Sequence, residues 1–121
     1  MESILIVDDD INLCNALNDE LKEVGYETYF VNDGDQALKH LVENQVDLVL
    51  LDLKMPGKDG FEVLKEMEEQ KIKCKVIVLT AYADVKSAID SAKMGASDFI
   101  SKPYDLDELL ITIRKVLQKD S

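Results

Sequence analysis

Four polar positions in this sequence stand where an apolar run stops. Asp8-Asp9-Asp10 follows Ile4-Leu5-Ile6-Val7, Asp52 follows the run from Val46 to Leu51, Thr80 follows Val76-Ile77-Val78-Leu79, and Lys102 follows Asp98-Phe99-Ile100-Ser101. Carboxylate oxygens with no His or Cys beside them are hard ligands, which suit Mg2+, or Mn2+, and serve zinc or copper poorly. A lysine and a hydroxyl facing such an ion complete a receptor for a phosphoryl group, whose equatorial oxygens need positive charge and donors. With a carboxylate in the same place, the predicted reaction is attack by that Asp on phosphorus to give an aspartyl phosphate. Taken singly, each residue has a plainer use: Asp52 or Thr80 in a turn, Lys102 on the surface, Asp10 as a helix cap. Their joint position at strand ends is what favours a site.

The elements that must bring these residues together alternate strand and helix five times. The strands are read at Ser3–Val7, Tyr26–Val31, Val46–Leu51, Lys75–Leu79 and Asp98–Ser101, the second having the mixed character of an edge strand. Helix one is expected from about Ile11 to Val24, with Cys14, Leu17, Leu21 and Val24 inward and Gly25 as terminator. Helix two follows Asn32-Asp33-Gly34 with Ala37, Leu38, Leu41 and Val42 as its apolar stripe, His40 lying beside it as a surface residue. A loop from Lys54 to Asp59 leads into helix three, with Phe61, Leu64 and Met67 inward. Asp84 caps helix four, whose Val85, Ala88, Ile89 and Ala92 share a face, and Gly95 closes it. Asp105 to Glu108 reads as a capping box opening helix five, with Leu106, Leu109, Leu110, Ile113, Val116 and Leu117 inward and residues 118–121 as a tail. This rhythm predicts a parallel sheet with helices on both faces and right-handed crossovers. All strand C-termini then lie on one edge, where doubly wound sheets bind ligands.

The 121 residues fit one domain, and 46% hydrophobic with 32% charged content describes a globular chain. A formal net charge of -11 opposes direct binding to nucleic acid or to an anionic membrane. No apolar run approaches the roughly 20 residues of a membrane span, and Met1 leads into the first strand without a signal sequence, so a cytoplasmic location is expected. Cys14 and Cys74 lack metal-ligand spacing and read as reduced packing residues.

Ile4 to Asp9, Leu50 to Gly60, Val78 to Tyr82 and Gly95 to Pro103 together resemble the receiver domain of two-component response regulators, over essentially the whole chain. The resemblance implies a receiver domain over residues 1–121. Its fold would be flavodoxin-like: a doubly wound five-stranded parallel sheet of order 2-1-3-4-5 between two layers formed by five helices. It implies that Asp52 is the phosphoacceptor, served by a phosphohistidine of a sensor histidine kinase or a histidine phosphotransfer protein. Asp9, Asp52 and the backbone carbonyl of Lys54 would ligate Mg2+, with Asp8 acting through metal-bound water. Thr80 and Lys102 would bind the phosphoryl group, Lys102-Pro103 would be a cis peptide, and Thr80 with Phe99 would switch an output face on helix four, strand five and helix five. Ile11, Cys14 and Asn15 would meet the phosphodonor. Lys54 and Tyr82 would overhang the phosphoryl group and set its lifetime, in a pattern resembling phosphorelay intermediates. The chain would promote its own phosphorylation and dephosphorylation and catalyse nothing else.

Two other classes compete. The Asp-x-Asp arrangement of Asp8-Asp9-Asp10 also opens haloacid-dehalogenase-type phosphatases, which use Mg2+ and an Asp nucleophile, yet that order leaves Asp52 without a place and the chain without a cap domain. A flavin carrier on the same fold needs a Ser-, Thr- and Gly-rich first loop, where three aspartates would repel the flavin phosphate.

Overall fold

In a computed structural model that describes residues 1–119, five strands and five helices alternate without exception. They are β1 (Ser3–Val7), α1 (Ile11–Glu23), β2 (Glu27–Val31), α2 (Gly34–Glu43), β3 (Leu48–Leu51), α3 (Gly60–Glu69), β4 (Lys75–Thr80), α4 (Val85–Lys93), β5 (Asp98–Ser101) and α5 (Leu106–Gln118). The strands form one parallel sheet in the order β2-β1-β3-β4-β5, as expected.

Side chains alternate across a strand, so β1 splits its apolar run between two cores. Ile4 and Ile6 join Cys14, Leu17 and Leu21 of α1 and Leu109, Ile113 and Val116 of α5. Leu5 and Val7 join Ala37, Leu38 and Leu41 of α2 and Val63, Leu64 and Met67 of α3. β3 is buried on both faces, which is why it reads as an uninterrupted Leu-Val-Leu-Leu run. Each such Leu or Ile contributes about 1.5–3 kcal/mol by leaving water. Asp47, just before β3, fixes the starting register of β1, because its Oδ2 accepts the Ser3 amide at 2.8 Å.

Several helix faces differ from the sequence reading. Val24 is the C-cap of α1 rather than part of its stripe and is 51% exposed. Val42 and Phe61 sit about 90° and about 110° from the centres of their buried stripes at 100° per residue, so Val42 is exposed, Phe61 half-buried, and Val63 occupies the core place in α3. In α4 the face shared by Val85 and Ile89 is turned to solvent, and the buried residue is Ser91. Ser91 can face inward because its hydroxyl donates to the Ala88 carbonyl at 3.1 Å, a polar group satisfied within its own helix. The reciprocal capping box stands at α3, between Asp59 and Glu62, whereas Asp105 of α5 makes only the forward bond to the Glu108 amide. Gln118 belongs to α5 rather than to a tail, and Asp120 and Ser121 lie outside the described residues.

Candidate functional site

Parallel strands deliver their C-terminal ends to one edge, and the returning helices start there. All five helices carry an aspartate N-cap at that edge: Asp10, Asp33, Asp59, Asp84 and Asp105 each accept a backbone N–H from three residues on. Asp10 takes the plainer of its readings, as the cap of α1, its Oδ1 accepting the Leu13 amide at 3.1 Å.

Asp8 and Asp52 leave the adjacent ends of β1 and β3 and are both buried, while Asp9 is exposed beside them. One carboxylate oxygen from each of the three lies within 4.8 Å of the others. From the loop after β5, two strands along the edge from β3, Lys102 donates from Nζ to Asp8 Oδ2 at 2.5 Å and to Asp52 Oδ2 at 3.4 Å. The Lys102-Pro103 peptide is cis. Burial pushes the Asp8 carboxyl above its ordinary pKa, against the Lys102 and Asp10 hydrogen bonds that pull it down, and the nearby Asp52 charge adds to the rise. Burial alone would lower the Lys102 pKa, but its bonds and proximity to Asp8 and Asp52 outweigh this and hold the ammonium charged. The cluster is thus an all-oxygen set carrying more negative charge than one lysine offsets, and a divalent cation such as Mg2+ fits it.

The two buried carboxylates are held differently. Asp8 is gripped at both oxygens, Oδ1 accepting the Asp10 amide at 2.9 Å and Oδ2 the Lys102 ammonium at 2.5 Å. Asp52 has only long contacts, Oδ1 to the Lys54 amide and Oδ2 to Lys102, both 3.4 Å. The less constrained oxygens are the ones available to react.

Thr80 is fully buried at the end of β4, its Oγ1 accepting the Tyr82 amide at 3.2 Å. Phe99 is half-buried on β5 in register with Val78. Lys54 and Tyr82 come together at the rim, the ammonium 4.5 Å from the ring centroid. Cys14 does not belong to any docking face: it is fully buried, its thiol donates to the Asp8 carbonyl at 3.4 Å, and burial with nearby carboxylates pushes its pKa up to about 12. Helical spacing had already placed it inward, and Ile11 and Asn15 remain exposed beside it.

Three residues escaped the sequence reading. Gly60 opens α3 directly beneath Asp52, where an added Cβ would stand 2.7 Å from Leu53 Cα and closer still to the Asp52 carbonyl oxygen. Lys58 spans from the loop to Asp35 of α2 and Glu66 of α3, tying both helices to the loop that carries Asp52. Asn32 follows β2 and donates to the Asp8 carbonyl at 2.9 Å. Its signal was its position, since it makes the fifth strand also end on a polar residue.

The model for the response regulator receiver domain matches residues 4–114. Among curated proteins, the chain is 41% identical over 118 residues to regulatory protein AtoC of Escherichia coli, covering 98% of this chain and 26% of that protein. It is 40% identical over 116 residues to sporulation initiation phosphotransferase F of Bacillus subtilis, covering 96% of this chain and 94% of that one. The chain therefore spans about a quarter of AtoC and nearly all of the phosphotransferase. Among solved structures, the Francisella response regulator 1452 receiver domain superposes with a TM-score of 0.92 at 30% identity, covering 98% of both chains. The response regulator TrrA of Thermotoga maritima, in complex with Mg2+ and BeF, does so with a TM-score of 0.86 at 39% identity, covering 96% of this chain and 99% of that one.

Proposed function

Because the chain belongs to the receiver-domain family of response regulators, the signalling modules of two-component systems, we propose that Asp52 accepts a phosphoryl group from a phosphohistidine. The donor is a sensor histidine kinase or a histidine phosphotransfer protein, and the module spans residues 1–121. The observation that carries the assignment is the loosely held Asp52 carboxylate facing Lys102 at 3.4 Å within a three-carboxylate pocket. An Asp52 oxygen attacks phosphorus, the P–N bond breaks, and its electron pair returns to the donor imidazole. Lys102 transfers its attraction to a phosphoryl oxygen. Thr80, whose Oγ1 only accepts at present, has its own O–H free to donate to another. Asp8, Asp9, Asp52 and the Lys54 carbonyl would hold Mg2+, which when bound offsets phosphoryl and carboxylate charge. Incubation with Mg2+ and a small phosphodonor should add one phosphate, labile to hydroxylamine.

The phosphatase alternative has no footing in the site, since its second Asp would be Asp10, which caps α1. The donor docks near the exposed Ile11 and Asn15. Output leaves through α4, β5 and α5, where Val85, Ile89 and Ile111 are exposed and Thr80 and Phe99 provide the link inward. No helix among the described residues is long and apolar enough to cross a membrane, which accords with action in the cytoplasm.

Mg2+ should raise the melting temperature, because it binds the folded cluster and not the dispersed carboxylates. Asp9→Asn removes a ligand and a charge and should weaken Mg2+ binding by about tenfold. A differential scanning fluorimetry titration checks both, and no shift at millimolar Mg2+ counts against the metal site.

Lys54 and Tyr82 stand two residues after Asp52 and Thr80 and meet with the ammonium 4.5 Å from the ring centroid, so an ammonium that bonds phosphoryl oxygens and a ring that excludes water should both prolong the phosphorylated state. Lys54→Asn together with Tyr82→Ala should speed dephosphorylation by about tenfold, the equivalent of one lost charge-assisted hydrogen bond. Slower or unchanged decay with Mg2+ present removes the support for a relay role. Similarity to the sporulation phosphotransferase over nearly its whole length favours that role.

A further inference from the structure

Asp8 is the most constrained residue of the edge, and the constraint comes from parts of the chain outside the acid cluster. Its N–H donates to the Val31 carbonyl at 3.2 Å. Its carbonyl accepts from Asn32 Nδ2 at 2.9 Å and from the Cys14 thiol at 3.4 Å. Asn32 Nδ2 also lies 3.7 Å from Cys14 Sγ. Its carboxylate takes the Asp10 amide and the Lys102 ammonium. A thiol is a weak donor, so the strong bond on the carbonyl is the one from Asn32. Both neighbours of that amide nitrogen accept, and the opposite amide orientation would set oxygen against the Asp8 carbonyl.

We infer that Asn32 is a positioning residue: by pinning the Asp8 peptide from the β2 end, it holds the Asp8 carboxylate in the orientation that aims Lys102 and admits the metal. The inference rests on the Mg2+ site assigned above. Without the Asn32 bond, the peptide between Asp8 and Asp9 is free to tilt on the side away from the cluster. That peptide carries both carboxylates, so tilting it misaligns two ligands together. Partners one layer behind a metal ligand are typically worth ten- to a hundredfold in affinity.

The test uses the whole chain with Asn32→Ala and with Asn32→Leu, the second keeping the branched side-chain shape without the donor. Mg2+ affinity is measured by isothermal titration. The amide resonance of Asp10, bonded to Asp8 Oδ1, is followed in metal-free protein as a reporter of the carboxylate. Both variants should bind Mg2+ roughly tenfold more weakly, with the Asp10 amide shifted upfield while that of Gly60, bonded to Leu53, stays in place. A merely structural Asn32 would lower the melting temperature and leave affinity and the Asp10 resonance unchanged; that result overturns the inference. Should the Ala variant unfold, the Leu variant alone decides by the same two readings. Failure of the unmodified chain to bind Mg2+ would overturn the site itself, a result distinct from equal binding by chain and variants.

Discussion

Asp52→Asn should accept no phosphate at the rate of the parent chain, with incorporation falling by at least about a hundredfold, while the protein stays folded. The amide keeps the volume and planar shape of the carboxylate but lacks the charged oxygen that attacks phosphorus in the proposed reaction. Loss of function and loss of fold should separate at this position. Asp52 adds to the like charge that raises the Asp8 pKa, and its own contacts at 3.4 Å are weak. Removing its charge relieves repulsion in metal-free protein, so the melting temperature should hold or rise. Mass spectrometry after incubation with a small phosphodonor and Mg2+, paired with a metal-free thermal melt, reads both. Phosphate found at the parental rate in the variant, on Asp8 or Asp9, would transfer the acceptor role.

Gly60→Ala should damage both stability and chemistry, for reasons of space rather than backbone freedom. The Cβ has nowhere to go: the Asp52 carbonyl oxygen and Leu53 Cα are backbone atoms and cannot rotate aside. Either α3 backs away or the segment after β3 moves, and the Gly60 amide bond to the Leu53 carbonyl at 2.9 Å breaks. Overpacking of this kind costs about 3 kcal/mol. Displacing the acceptor strand end by an ångström would slow phosphorylation by about a hundredfold at temperatures where the variant is folded. Gly57→Ala is the control. Gly57 has φ 74° with no atom within 4 Å of an added Cβ, so the change should cost about 1–2 kcal/mol in backbone strain and leave the rate near that of the parent. Urea unfolding and phosphorylation kinetics on the two variants check the contrast; equal behaviour would contradict the crowding argument.

What could be read in advance divides by physical cause. The parallel edge and the pooled residues Asp8, Asp9, Asp52, Thr80 and Lys102 followed from alternation and from strands ending on polar groups, whereas the strand order came only from the resemblance to receiver domains. Helix faces were less legible where one polar residue could satisfy itself, as Ser91 does against Ala88, or where an apolar residue sat beyond the stripe, as Val42 does. The bonds that tune the site were out of reach: whether Asn32 meets Asp8 across 24 residues, or Lys54 meets Tyr82, depends on loop paths that pattern does not encode. Gly25 and Gly95, which close helices, and Gly57 in the loop before α3 have positive φ, whereas Gly60 does not and is required instead by the backbone of Asp52 and Leu53, a loop away in sequence.

The strand order also bears on how the chain assembles during synthesis. β1 can pair with β2 as soon as α1 has formed, but its other edge must wait for β3, whose residues lie more than forty positions later. Until the ribosome has delivered Leu48 to Leu51, an Ile-Leu-Ile-Val strand presents an open flank, the kind of edge that nascent chains use to stick to one another. Once β3 docks, β4 and β5 add outward on the same side in the order they are made. The strand that ends at Asp52 therefore both closes the hazardous flank and begins vectorial growth of the sheet, and a ribosome pause before it would prolong the interval in which that flank is open.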